Sequence, residues 1–595
     1  MPNAWSLQRD DSRIVLHFDL DCFYASVVEN ENPALKSVPL AIQQKQIVVT
    51  CNYEARRRGL RKLQLISEAK RICPEAVIVL GEDLTRFRDA SKDIYSFLQQ
   101  SVWSGRAERL GFDEVWLDCT DMVDYNVGLL NPNDLTHSFF CLSQEDPTVG
   151  FEYDASTVFG PTYPTHSHDS TSCTEEEAQL RLRLVLGSHL ARHIRHGLEH
   201  QKGYTSTVGI ATNKLLSKLV GNVNKPKNQT TILPPYQPVG HVDATVTRFL
   251  DEHEIGKIPG VGSKLAQKIR TRVLGREPDV SEDLLYGGTK ESVTVLDVRT
   301  HHMMGPELLE EVLGGPGSSR GIGGKVWELI HGIDDSEVGK VRRVPSQISQ
   351  EDSYMKHLHS FDEVKKQLHI LGERLIRRMH MDLLEDEEEE SDPERSVPRR
   401  RWIAHPRTLR LSTRPRPALT LDGTRQRMSH RISRSAPMPN LVFSLVEDPS
   451  ILADRLVDEA LVPMFRKLHH EKAGWSLSLI NVAATNMAEA AAERKDSEGR
   501  DIGKMFRRQD EVLKDFRVKV EPDSREELPS PWMEAPDGQT PNVEVKGANM
   551  DFAATDGWDS DCSESQQAER CECCHSSIPA FALAAHRRYH ELGGS

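Results

Sequence analysis

At 595 residues the chain is too long for one hydrophobic core, so several domains are expected. Hydrophobic content is 38%, and no apolar run approaches the roughly 20 residues of a membrane helix, which argues against a membrane protein. The net charge of −15 argues against a nucleic-acid partner only on average, because the charge is sorted: residues 382–394 are nearly all acidic, whereas Arg395 to Arg434 hold many arginines and one acid, Asp422. A phosphate backbone meets a local face, not a total.

The first residues, M-P-N-A-W-S-L-Q-R-D-D, lack a basic segment followed by an apolar one, so no secretory leader is expected. Six cysteines, Cys22, Cys51, Cys73, Cys119, Cys141 and Cys173, follow no framework spacing and read as reduced thiols. The other four crowd into residues 562–574.

Residues 14–125 read as alternating strands and helices. The runs I-V-L-H-F, P-L-A-I, I-V-V-T-C, A-V-I-V-L and F-D-E-V-W-L-D-C suit strands. S-E-A-K-R-I and D-A-S-K-D-I-Y-S-F-L have helical spacing. Residues 127–176 lose periodicity and are expected as an inserted loop. Helical spacing resumes at E-E-E-A-Q-L-R-L-R-L-V-L, and T-S-T-V-G-I-A-T-N-K-L-L-S-K-L reads as strand, turn and helix. Residues 249–272 and 321–334 are Gly-punctuated helical hairpins, with 274–320 between them as an expanded linker. Strands and helices alternate again over 346–487. From about residue 490 the chain is charged, Pro-rich and poor in aromatics, the composition of disorder, except for the last 25 residues.

Two carboxylate clusters carry the chemistry. Asp19 and Asp21 end one strand, and Asp113 and Glu114 sit inside another. A lone D-x-D more often caps a helix. Two such clusters on adjacent strands can hold a pair of Mg²⁺ ions through hard oxygen ligands, the arrangement of in-line phosphoryl transfer. Thr50, Tyr53 and Arg56 follow a strand, with Lys62 slightly later, and together offer a hydroxyl, a phenol, a guanidinium and an ammonium to a triphosphate.

Further on, I-G-K-I-P-G-V-G-S-K-L-A-Q-K-I has the turn of a helix-hairpin-helix, whose Gly260 and Gly262 let backbone approach a phosphate without reading sequence. R-T-L-R-L-S-T-R, R-Q-R-M-S-H-R-I-S-R and W-S-L-S-L-I-N-V-A suit sheet strands that turn arginines toward phosphates. The adjacent acidic run, residues 382–394, reads as a solvated loop. In the tail, Cys571 and Cys574 with His586 and His590 give the C-x₂-C and H-x₃-H spacing of a Zn²⁺ site, with Cys573 as a substitute ligand.

The motifs D-L-D-C-F-Y-A-S-V, N-Y-E-A-R, G-E-D-L-T-R-F-R and E-R-L-G-F-D-E resemble, in order and spacing, those of the Y-family translesion DNA polymerases. The resemblance covers most of residues 10–487 with gaps at the insertions. It implies an α/β multidomain, right-hand polymerase. The ferredoxin-like palm would comprise residues 1–22 and 84–233, the small fingers 23–83, the helix-hairpin-helix thumb 234–344 and the α+β little finger 345–489. A disordered linker (490–568) and a ββα-type zinc finger (569–592) would follow.

The resemblance also assigns roles. Asp19, Asp113 and Glu114 would be catalytic and, with the Leu20 carbonyl, hold two Mg²⁺ or Mn²⁺ ions. Phe23, Tyr24, Thr50, Tyr53, Arg56, Lys62 and Lys214 would meet the nucleotide, with Tyr24 excluding a ribose 2′ hydroxyl. Asp21 would shape the turn. Gln44, Lys45, Ile47 and Leu63 would surround the template base, their bulk narrowing the site as in one branch of the family. Implied partners are primer–template DNA and deoxynucleoside triphosphates in the nucleus, with no membrane. The tail resembles a ubiquitin-binding zinc finger, which points to ubiquitin or a ubiquitinated sliding clamp. Arg587, Arg588 and Tyr589 stand where such fingers carry an acid. Gly499–Phe506 weakly resembles a clamp-binding peptide. A bypass enzyme of another branch of the family, sharing the chemistry but with Ile47 and Leu63 as ordinary fingers packing, is one alternative, and a catalytically silent DNA- and ubiquitin-binding scaffold is another.

Overall fold

The computed structural model describes residues 7–165, 174–238, 244–279, 289–386, 400–415, 431–470, 475–489, 568–570 and 577–579. The chain divides into two units, Met1–Arg494 and Lys495–Ser595.

In the first unit the apolar run at residue 14 becomes β1 (Val15–Leu20). It lies inside a six-stranded sheet, and almost every residue is buried, as a strand covered on both faces requires. Helix α1 (Phe23–Glu31) sinks Phe23, Ala25, Val27 and Val28 into the same core. Burying one such large side chain contributes about 1.5–3 kcal/mol.

The next segment builds a smaller sheet. Strand β2 (Leu40–Gln44) runs antiparallel to β3 (Ile47–Cys51) and parallel to β4 (Val77–Leu80). Helices α2 (Tyr53–Arg57) and α3 (Ile66–Ile72) pack there, with Ala55 and Ala69 joining Ala41, Val48, Cys51, Leu60 and Cys73 in a separate core.

Helix α4 (Thr85–Gln99) returns to the large core, followed by β5 (Ala107–Leu110), β6 (Glu114–Asp118) and α5 (Thr120–Gly128). The expected loop over 127–176 needs correction. Strands β7 (Ser138–Cys141) and β8 (Gly150–Tyr153) form a hairpin, β9 (Thr162–Tyr163) closes one edge of the large sheet, and Phe140, Tyr153 and Ala155 enter its core. Strands of two to four residues are too short to display a period. Helix α6 (Glu175–Lys202), capped by Thr174, leads to β10 (Ser206–Ala211), α7 (Lys214–Val220) and β11 (Gln229–Ile232). The sheet order is β5-β6-β1-β10-β11-β9.

A helical region follows: α8 (Thr245–Asp251), α9 (Ser263–Leu274), α10 (Val295–Thr300), α11 (Pro306–Leu313) and α12 (Ile322–Ile330). The expected linker 274–320 is therefore partly helical. Thr294 and Asp297 form a reciprocal cap on α10, and Val295, Val298, Leu309 and Leu313 are buried. Gly260 in the hairpin turn has φ +90, a backbone conformation that favours glycine, and a Cβ there would lie 2.9 Å from the end of the Leu329 side chain, which would have to shift.

The C-terminal part of this unit is a second sheet with helices on one face. Strand β12 (Gln347–Leu358) precedes α13 (Phe361–Leu383), β13 (Leu384–Asp386) and β14 (Arg400–Trp402). Then come β15 (Ala404–Pro415), β16 (Ile432–Pro437), α14 (Pro449–Leu456), α15 (Val462–Leu468) and β17 (Leu477–Glu489). The order β12-β17-β15-β16 is antiparallel throughout, and Leu409, Leu411, Ile480 and Val482 meet Leu368, Leu371 and Leu375 of α13. The acidic run does not start as a loop. Asp382 ends α13, where it is buried against Lys92 and Arg378, and Glu385 pairs with Arg401 at 2.9 Å.

In the second unit β18 (Ala568–Arg570) pairs antiparallel with β19 (Ser577–Pro579). Cys571, Cys574, His586 and His590, the tail expected to be disordered from residue 490, and Gly499–Phe506 lie outside the described residues.

Candidate active site

Strand pairing brings the carboxylates together. Asp19 on β1 stands directly opposite Glu114 on β6, and the Leu20 N–H donates to the Asp113 carbonyl at 2.8 Å. Asp19 and Glu114 each hold a lysine. Lys225 Nζ lies 2.5 Å from Asp19 Oδ2, and Lys218 Nζ lies 2.5 Å from Glu114 Oε1. Asp113, next to Glu114 in the chain, feels the charge of both carboxylates. Burial, then the charges of Asp19 and Glu114, push its carboxyl up to about 6.

These donors fit a divalent cation. They are hard oxygens, and the two ammonium groups already occupy positions where a cation would relieve their repulsion. Among the described residues no set of three or more His, Cys, Asp or Glu side chains is drawn together as ligands, and Asp19 and Glu114 are each met by an ammonium group instead.

Asp21 differs from its neighbour. Its buried carboxylate accepts from Thr207 Oγ1 at 2.9 Å and from the Lys227 N–H at 2.9 Å, so its oxygens are spent on the turn. Cys22 beside it is in the left-handed region with φ 48, which turns the strand into α1.

The aromatic pair after that turn splits. Phe23 is buried, whereas half-buried Tyr24 lies with its ring 4.4 Å from Phe87 and 6.2 Å from Phe112. Burial, then the Asp113 charge, raises the Tyr24 phenol. Asn52 caps α2 by accepting from the Ala55 N–H at 2.8 Å, and this sets Tyr53 and Arg56 on one short helix. The Arg56 guanidinium covers the Tyr53 ring at 4.5 Å. Burial, then the Asp21 charge, pushes the Tyr53 phenol up to about 12, which ties this helix to the carboxylates. Thr50 is half-buried on β3, and Lys62 is exposed in the turn before α3.

Lys214 is not brought to the cluster. Its Nζ lies 2.8 Å from Glu108 Oε2 and 3.3 Å from the Glu337 carbonyl. Lys218, one helical turn later, and Lys225 are the lysines on the carboxylates, and sequence reasoning missed both. The spacing of Lys214 and Lys218 put both on one face of α7 but could not say which reached β6. Buried His17 was also missed. Its Nε2 is 3.9 Å from Glu114 Oε1, and burial, then Lys218 and Lys225, holds it well below the usual imidazole range.

Around the expected template pocket, Gln44 Nε2 donates to the Gly81 carbonyl at 2.7 Å. Leu63 has φ 69, a conformation rare for leucine, and its N–H donates to the Val48 carbonyl at 2.6 Å. Half-buried Ile47 bridges to Leu65. Lys45 has φ 53 and reaches out of the small sheet to Asp352 at 2.7 Å and to the Ser353 carbonyl at 2.8 Å.

The second sheet leaves one face without helices. The register sets Arg410 opposite Ser435 and Ala483, and Ser412 opposite Ser433 and Asn481. Arg410 and exposed Arg414 alternate with inward Leu409, Leu411 and Thr413. Among the described residues, R-T-L-R-L-S-T-R thus puts arginines on an open face, while residues 416–430, which hold much of the second basic stretch, are not described.

The impB/mucB/samB family matches residues 18–222, and that family's C-terminal domain matches residues 345–497. DNA polymerase iota of Homo sapiens is 30% identical over 494 residues, covering 83% of this chain and 54% of that protein. DNA polymerase iota of Drosophila melanogaster is 38% identical over 253 residues, 42% of this chain and 30% of that one. DNA polymerase eta of the same organism is 30% identical over 287 residues, 44% and 31%. The aligned chain thus spans about half the length of the human relative.

Proposed function

The chain belongs to the impB/mucB/samB family, the Y-family DNA polymerases, and on that premise we propose that it is a template-directed, error-prone translesion DNA polymerase. The observation that carries the reading is the cross-strand cluster of Asp19, Asp113 and Glu114, in which charge is crowded and one carboxyl is pushed up to about 6. Crowding of this kind is costly in a fold and is kept where a ligand relieves it.

The reaction is attack of a primer 3′ hydroxyl on the α-phosphate of a deoxynucleoside triphosphate, with pyrophosphate leaving. Asp19, Asp113, Glu114 and the Leu20 carbonyl hold the cations. Bound Mg²⁺ ions would activate the hydroxyl and neutralise charge on the phosphates. Arg56, kept over Tyr53, forks onto the triphosphate, with Thr50 and Lys62 beside it. Lys225, released from Asp19, is the better placed of the missed lysines to follow the triphosphate, whereas Lys214 stays with Glu108. The Tyr24 ring, packed on Phe87, blocks a ribose 2′ hydroxyl.

In this reading the six-stranded sheet is the palm, the small sheet the fingers, α8 to α12 the thumb and the second sheet the little finger. The Gly260 turn and the arginine face grip the duplex without choosing sequence. The tail ligands Cys571, Cys574, His586 and His590 would hold Zn²⁺ in a finger that takes ubiquitin or a ubiquitinated clamp, and the protein would act in the nucleus.

The likeness to iota enzymes favours a narrow template site at Gln44, Ile47 and Leu63. Single-nucleotide insertion opposite each template base, with Mg²⁺ and then Mn²⁺, tests it. Accurate copying of A with frequent G opposite T supports the narrow site. Even fidelity across four templates supports an eta-like enzyme, the reading that the zinc spacing favours.

A further inference from the structure

Lys218 has no assigned part in the reaction, yet it holds a residue that does. Helix α7 begins at Asn213, whose Oδ1 accepts from the Leu216 N–H at 2.9 Å, and its first turns project Lys214 and Lys218 over the Trp116 ring at 5.3 and 5.5 Å. Trp116 sits two residues after Glu114, on the same face of β6. The indole is thus a platform for both ammonium groups. From it Lys214 turns to Glu108, and Lys218 turns to Glu114 at 2.5 Å. His17 lies beneath Glu114 and, kept neutral by burial, brings no charge. Both partners of the Lys218–Glu114 pair are about four-fifths covered, with side chains 20% exposed. A pair at that depth is screened less than one on the surface.

We propose that Lys218 is a positioning residue that acts through Glu114. Its ammonium takes the cation's place in the DNA-free protein, keeps the carboxylate aimed into the cluster, and lowers the affinity for a divalent ion until primer and nucleotide arrive. Lys225 does the same for Asp19, but it lies on the loop after α7 and is free to leave with the triphosphate. Lys218 is tied to Trp116 and stays within reach of Glu114 throughout. The inference rests on the reading of Glu114 as a cation ligand.

The test is Mn²⁺ binding to the full chain without DNA, followed by electron paramagnetic resonance for wild type, K218Q, K218M, K218R, K214Q and D113N. Circular dichroism melts check that each variant is folded. K218Q and K218M are expected to bind Mn²⁺ roughly 5- to 30-fold tighter, the scale of removing one partly screened charge a few ångströms away. K218R should match wild type, and K214Q, whose charge faces Glu108, should too. Equal affinity in wild type and both neutral variants overturns the proposal, as does an equal gain in K214Q. If wild type and D113N bind Mn²⁺ alike, the cluster is no cation site, and the reading beneath the proposal falls with it.

Discussion

The two large sheets handle charge in opposite ways. At the end of the six-stranded sheet, three carboxylates share a partly buried corner, two already held by lysines and one raised by its neighbours. On the open face of the four-stranded sheet, arginines are spread out and loosely met: Arg410 donates to Gln347 at 3.1 Å and Arg414 to Ser478 at 3.4 Å. Charge in a low dielectric is costly and must be answered by a specific ligand. Charge spread on a wet face costs little and attracts any phosphate backbone. The first arrangement suits chemistry and the second suits grip.

Substitutions should separate the two. The largest effect is expected for Asp113→Ala, which should lower single-turnover insertion by about 10³-fold or more, the scale of losing a preorganised charge at a reacting group. Primer–template affinity, read by fluorescence anisotropy, should hold within about twofold. Loss of binding instead would join the two regions that the contrast keeps apart.

The next effect is on sugar choice. Tyr24→Ala removes the ring against Phe87. Discrimination against ribonucleotides should fall roughly 10- to 200-fold, the range for one group's fit in a pocket. Competitive incorporation assays measure it, and unchanged discrimination would clear Tyr24 of the role.

Stability should move the other way. The Asp113 carboxyl is raised from 3.8 to about 6, so folding favours its protonated form. That contribution is full below about pH 4 and is lost as pH rises through about 6. In metal-free buffer at pH 8, Asp113→Asn should therefore be more stable than wild type by about 2 kcal/mol, a gap that closes below about pH 4. Thermal melts across pH report it. A destabilised variant at pH 8 would show that Asp113 is not crowded.

The smallest effect belongs to the arginine face. Replacing Arg410 or Arg414 by Gln should take away one phosphate partner and flatten the slope of log affinity against log salt by about 0.9, with weakening uniform across DNA sequences. Weakening limited to certain sequences would mean that this face reads bases.

How much of this was legible in the sequence follows from the length and periodicity of each element. Val15–Leu20 and Glu114–Asp118 announced themselves because central strands are nearly all apolar, and a carboxylate at such a strand's end stands out. The hairpin of Ser138–Cys141 and Gly150–Tyr153 and the helices around Val295 and Leu309 were hidden, being short and set among Gly, Pro and Ser. The lysines show the limit most clearly. Lys214, Lys218 and Lys225 are equivalent as letters, and only the pairing of β6 with β1, and the Trp116 platform, sends one to Glu108 and the other two to Glu114 and Asp19. Leu63 was singled out for its bulk, whereas its left-handed backbone is a tertiary property that no local pattern encodes.

The most direct test uses wild type and Asp113→Asn side by side: single-nucleotide extension of a labelled primer with Mg²⁺, and primer–template binding in the same samples. Extension by wild type alone is predicted, with similar DNA affinity for both proteins. Wild type without extension above background, or Asp113→Asn extending at a comparable rate, would contradict a catalytic role for the carboxylate cluster.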